Sequence, residues 1–165
     1  MTVTDVRKDL DALTLTIGSE YDAPAARVWE LWADPRQLER WWGPPGYPAT
    51  VVEHDLTPGG LVSYYMTGPE GDRLWGWWRI TSSDAPTALV FVDGFADGSG
   101  RPDPDMPVTT TRVSLHATDA GGTRMLIESS FASLQAMEQL VAMGMVEGMR
   151  AALGQTDEIL AAPRA

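Results

Sequence analysis

The chain has no cysteine, and that absence removes disulfides, a thiol nucleophile and thiolate metal ligands together. Histidine is almost as scarce. His54 and His116 are far apart and form no HxxxH or HExxH arrangement, so no metal centre is expected and each reads as a surface strand residue. Basic residues are few: 12 Lys and Arg stand against 23 Asp and Glu, a formal net charge of −11. Nucleic-acid binding relies on cations that neutralise phosphates, and anionic membranes attract the same groups. Neither partner is expected, and the acidity reads as a solubility feature. No run approaches the roughly 20 apolar residues of a membrane span, and "MTVTDVRKDLDAL" lacks a signal-peptide core. There is also no GxSxG elbow and no glycine-rich phosphate loop. These absences lead to the expectation of a cytoplasmic protein with no metal and no cofactor.

What is present suits one domain spanning residues 1–165. Its 44 % hydrophobic and 21 % charged residues are ordinary globular values, and no repeat, low-complexity tract or linker divides it. "ALTLTIGSE" (12–20) alternates Leu13, Leu15 and Ile17 with threonines, the pattern of a half-buried strand. "DAPAARVWELWADP" then opens a helix, with Asp22 near its start and Pro24 preset for the first turn. Val28, Leu31 and Trp32 form its inward stripe. Asp34-Pro35 restarts the chain as a second short helix carrying Leu38, Trp41 and Trp42, which stops at Gly43-Pro44-Pro45. Six further strands follow, at 49–56, 60–67, 73–81, 87–94, 108–118 and 123–131, separated by Gly, Pro and Asp turn chemistry. Short connections favour an antiparallel meander. From Ser133, a plausible N-cap, one long helix is expected to run to about Ala161, roughly 40 Å at 1.5 Å per residue. The economical architecture is α+β: a curved antiparallel sheet of about seven strands, two short helices between strands 1 and 2, and a long amphipathic helix across the concave face.

The inward side of that helix holds Met137, Val141, Gly144, Met145, Gly148, Met149, Ala151, Ala152 and Ile159. Each glycine inside a helix costs about 1 kcal/mol relative to alanine. Two of them, four apart on the buried side, admit two readings. The glycines let the helix backbone approach the sheet, or they leave a void flanked by adaptable methionines and faced by Tyr64, Trp78 and Phe91.

The order of elements resembles the activator-of-heat-shock-protein-90-ATPase homologue group within the START-like, or SRPBCC, helix-grip superfamily, over about residues 12–161. The carriers are "YDAPAARVWELWADPRQLERWWGP", "DLTPGGLVSYYMTGPEGD", "GWWRI", "GGTRMLIESSF" and "EGMRAALGQTDEIL". The specific part is the spacing from the Val-Trp helix through Trp-Trp-Gly-Pro to Pro-Gly-Gly. The resemblance implies a seven-stranded sheet gripping the C-terminal helix around a hydrophobic cavity. It also implies a softer wall where Gly148-Met149 replaces the Gly-Trp common in the family.

On this reading the ligand-binding candidates are Trp41, Trp42, Tyr64, Met66, Trp78, Phe91, Met125, Met137, Val141, Gly144, Met145 and Gly148. Trp41 and Trp42 point about 100° apart on a helix, so one is expected to pack on the first helix. The other leans over the pocket beneath the Gly43–Pro48 loop, which would form a rim or gate. For acid–base chemistry Asp93 is the better carboxylate, sharing strand parity with Leu89 and Phe91, and Tyr64 can offer a hydroxyl. No convincing catalytic pair emerges. The first expectation is therefore a binder of a hydrophobic or aromatic small molecule. An enzyme of polyketide cyclase or hydratase type and a chaperone-interacting module are the alternatives. Trp75 and Trp77 share a strand face with Arg73 and Arg79, the composition of an interface. A homodimer contact and local cover by loops both remain open for that patch.

Overall fold

The computed structural model describes residues 3–161. Eight strands form one antiparallel sheet in the order β1-β2-β8-β7-β6-β5-β4-β3. They are β1 Val3–Asp9, β2 Thr14–Tyr21, β3 Ala49–His54, β4 Leu61–Thr67, β5 Arg73–Asp84, β6 Ala88–Phe95, β7 Thr109–Ala117 and β8 Thr123–Phe131. Helices α1 (Ala25–Ala33) and α2 (Pro35–Trp41) lie between β2 and β3, and α3 (Leu134–Ala142), α4 (Met145–Leu153) and α5 (Thr156–Ala161) follow β8. No described helix is long and apolar enough to cross a membrane.

The eighth strand, β1, departs from the expected seven. Its sequence alternates poorly, because it is an edge strand rich in charge, and its register comes from pairing with β2. Asp5 is held there by Arg124 from β8, with Nη2 to Oδ1 at 3.0 Å. Gly18 on β2 makes the room: a Cβ at that position would collide with the Asp5 carboxylate.

The single long helix is also corrected. Gly144 adopts φ +90°, a left-handed conformation, and stands as the N-cap of α4. A helix cannot propagate through that geometry, so α3 ends at Ala142 and the chain restarts. A second break at Gly154-Gln155 separates α5. Ser133 caps α3 as the sequence suggests, its hydroxyl accepting the Ala136 N–H at 3.0 Å. Asp34 does the same for α2, accepting from the Arg36 N–H at 2.9 Å. Asp22 makes no such cap for α1, whose N-cap is Pro24.

Two apolar clusters hold the layers together. The larger joins α1, α2 and α5 to the inner face of the sheet through Val28, Leu31, Trp32, Leu38, Trp41, Trp78 and Phe91. Trp32 sits at its centre, 4.9 Å from the Trp41 ring and 5.9 Å from that of Trp78. The smaller, made by Leu15, Phe131, Met137 and Leu140, fixes α3 on the far side. The C-terminal segment is thus fastened at both ends. Arg27 on α1 donates to the Ile159 carbonyl at 2.9 Å, and the Tyr21 and Thr156 hydroxyls hydrogen-bond at 3.0 Å. Between these anchors α4 spans the sheet.

Candidate functional site

Beneath α4 lies a cavity of about 380 Å³. Its roof is Met143, Gly144, Met145, Gly148, Met149 and Ala152, and its floor is the inner face of β4 to β8. Trp42 and Pro44 close one side, and Phe95 and Pro107 stand at another. The roof is thin for a definite reason. A Cβ built on Gly148 meets no atom within 4 Å, and one on Gly144 meets nothing closer than the Glu147 carboxylate at 4.0 Å. Neither glycine serves close backbone packing.

The structure divides the twelve predicted residues. Trp42, Tyr64, Met66, Gly144, Met145 and Gly148 line the cavity, and Asp93 joins them. The other six lie behind or beside it. Trp41 is fully buried, with its indole N–H donating to the Leu31 carbonyl at 2.9 Å. Trp78 and Phe91 stack on each other at 4.2 Å, within the larger cluster. Met125 is fully buried and accepts the Trp32 indole N–H on its sulfur at 3.3 Å. Met137 belongs to the smaller cluster, and Val141 packs against it. Correct face assignment explains the pattern: these side chains do point inward, but toward the parts of the interior that α1, α2 and α3 fill. For the tryptophan pair, Trp41 is the one that packs into the helix layer and Trp42 the one that borders the cavity. The loop after Trp42 is tied down, because Gln155 Nε2 donates to the Gly43 carbonyl at 2.8 Å. Pro44 forms the rim there.

The floor carries a polar band that sequence reasoning only half found. Tyr64 (β4), Asp93 (β6), Thr109 and Thr111 (β7) and Ser129 (β8) all border the cavity. Strand parity contained the missing signal: Thr109 and Thr111 share a face with Val113, and Ser129 shares one with Ile127 and Phe131. Asp93 accepts a hydrogen bond on Oδ1 from the Thr111 hydroxyl at 2.8 Å. Burial, opposed by that bond, pushes the carboxyl up to about 7. Its remaining accessible surface opens on the cavity. The Tyr64 phenol is raised as well, by burial first and then by the neighbouring Asp93 charge.

Gly76 explains how Tyr64 reaches that position. It pairs with Tyr64 across β4 and β5, and a Cβ on Gly76 would collide with the phenol oxygen and ring. With no side chain in the way, the ring lies across β5 and carries its hydroxyl toward β6. The indole N–H groups of Trp42 and Trp78 come near enough to the Tyr64 oxygen to favour its ionised form. Both are buried, and neither makes a well-formed hydrogen bond.

Elsewhere, His54 is half-buried instead of a free surface residue, and its Nε2 lies 2.9 Å from the Trp32 carbonyl. No group of metal ligands occurs among the described residues. On the outer face, Trp75 lies against Tyr65 at 4.8 Å, and Trp77 donates to the Phe95 carbonyl at 3.1 Å. Arg73 stands 4.3 Å over the Tyr65 ring. These rings therefore have partners within the chain.

Comparison with known proteins places this geometry among relatives. The family model for activator of Hsp90 ATPase homolog 1-like protein matches residues 22–161. The crystal structure of protein Ms6760 from Mycobacterium smegmatis is 50 % identical, with 99 % of each chain covered and a TM-score of 0.89. A solution structure of a protein from Arthrobacter aurescens is 49 % identical, covering 98 % of this chain and 94 % of that one, with a TM-score of 0.93. A crystal structure from Rhodobacter sphaeroides, at 23 % identity, shares the fold at a TM-score of 0.85, covering 99 % of this chain and 100 % of that one. No curated protein matches the chain.

Proposed function

Because the chain belongs to the activator of Hsp90 ATPase homolog 1-like family, with the helix-grip fold, we propose that it holds a hydrophobic or aromatic small molecule between α4 and the sheet. The observation that carries the reading is the open space below Gly148, where even a methyl group would touch nothing within 4 Å. A volume of about 380 Å³ falls in the range of small-molecule sites. Methionines 143, 145 and 149 give the roof side chains that adapt to different shapes. Asp93 and Tyr64 are the ionisable groups on the described cavity lining, and no second carboxylate or histidine stands opposite them. That lining offers a guest one carboxyl and one phenol within a mostly apolar space.

Native mass spectrometry of freshly purified protein tests the reading. A small apolar compound retained by the folded chain and released on denaturation is expected. Thermal unfolding with a panel of aromatic compounds gives a second measurement. A guest at about 100-fold over its Kd stabilises by about 2.7 kcal/mol, a shift of several degrees in Tm. A panel that leaves Tm unchanged, together with an empty native protein, refutes the proposal.

A further inference from the structure

The polar band on the cavity floor has a definite hydrogen-bonding sense. Tyr64 on β4 pairs with Gly76 of β5, whose missing side chain leaves the Tyr64 ring free to lie across that strand, and Asp93 on β6 pairs with Trp78, the next inward residue of β5. The Tyr64 oxygen is approached by two indole N–H groups, those of Trp42 and Trp78. Neither indole completes a hydrogen bond to it, and the phenol borders the cavity with its own proton to donate. The Asp93 carboxyl accepts from the Thr111 hydroxyl on Oδ1 and also from its own backbone N–H, and as a neutral acid it keeps one O–H to donate.

We propose that Tyr64 and Asp93 form a two-donor seat for one uncharged oxygen acceptor, a ketone or aldehyde carbonyl, on an otherwise apolar guest. This rests on the small-molecule reading above and names the class of guest. Burial pushes the Asp93 carboxyl up to about 7, so below that pH it donates as a neutral acid in an apolar setting. The groups around it reinforce this state. Tyr64 from β4 is the ionisable neighbour, Thr109 and Thr111 from β7 are neutral, and α4 presents methionine, glycine and alanine. No Lys, Arg or His occurs on the described lining, and Glu147 on α4 is exposed. An anionic guest would meet a carboxyl with no cation to balance it. A protonated amine would need the Asp93 carboxyl ionised, the state that burial disfavours. A carbonyl oxygen needs only the two protons on offer.

The test compares two probes of the same shape, 2-acetylnaphthalene and 2-ethylnaphthalene, which differ in the carbonyl. Their Kd values are measured by equilibrium dialysis from about pH 5 to about pH 9, a range that brackets the Asp93 titration. At the acid end the ketone is expected to bind about tenfold tighter than the hydrocarbon, the yield of one to two neutral hydrogen bonds. The preference shrinks as the pH rises through about 7, because the carboxylate stops donating and repels the acceptor. Hydrocarbon binding stays flat. In Asp93→Leu the ketone preference falls and loses its pH dependence, and in Tyr64→Phe it falls while keeping it. Retained hydrocarbon binding shows that the cavity of each variant is intact. Equal affinities for both probes in the native protein overturn the two-donor seat and leave the small-molecule reading standing. So does a ketone preference that grows with pH, or tighter binding of protonated 1-(2-naphthyl)ethylamine than of the ketone. If neither neutral probe binds at any pH, the seat and the aromatic-guest reading fall together.

Discussion

Replacing Gly148 by alanine is the sharpest test of the space beneath α4. If the glycine were present so that α4 could press against the sheet, a methyl group would clash and the protein would lose stability. The structure says otherwise. The position lies within α4, its N–H donates to the Gly144 carbonyl at 2.8 Å, and a Cβ there meets nothing within 4 Å. What remains is the backbone term, in which alanine is favoured over glycine in a helix by about 0.8–1.0 kcal/mol. Gly148→Ala should therefore stabilise by about 0.5–1 kcal/mol, raising Tm by about 1–4 °C in a chain of this size. Gly144→Ala provides the contrast. There φ is +90°, so an added side chain is strained whatever the space around it, and a loss of about 1–2 kcal/mol is expected. Urea denaturation of the three proteins, with Tm as a second readout, gives both signs. A destabilised Gly148→Ala refutes the claim that the region is open, and with it the cavity.

Two further outcomes follow from the floor of the site. Gly76→Ala sets a methyl group against the Tyr64 ring and hydroxyl. It should cost about 1–3 kcal/mol in urea unfolding, and less in a Tyr64→Ala background because the two positions are coupled. The Asp93 carboxyl is raised from 3.8 to about 7 in the folded protein, so between those values the native state binds the extra proton and stability falls as pH rises. The loss should reach about 2–3 kcal/mol between about pH 5 and about pH 8, and Asp93→Asn should flatten that part of the profile. The carboxylates of Asp5, Asp55 and Asp97 are lowered instead, so their effect lies on the acid side of that window.

Much of the architecture was decided locally, by features that act over a few residues. The alternation of Leu13, Leu15 and Ile17, the Asp34-Pro35 restart, the Ser133 cap and the glycine turns fix element type through backbone preference and side-chain period, and seven of the strands follow from them. The resemblance in "YDAPAARVWELWADPRQLERWWGP" and the motifs after it then supplied the fold family. Residues 3–9 escaped because an edge strand of charged residues has no inward period of its own, and takes its conformation from β2 and from the Asp5–Arg124 pair. The break at Gly144 escaped because periodicity runs on unchanged through a glycine whether φ is negative or positive.

For the site, the sequence determined which side chains face inward, and tertiary structure decided which of them border empty space. Trp78, Phe91 and Met125 satisfy the same parity as Tyr64 and Asp93, yet Trp32 of α1 covers the first three, while the other two border the cavity under α4. Period is a property of one strand. Vacancy depends on what the opposite layer fails to supply, and that layer is set by the two anchors of the C-terminal segment, Met137 and Leu140 at one end and Arg27, Tyr21 and Thr156 at the other.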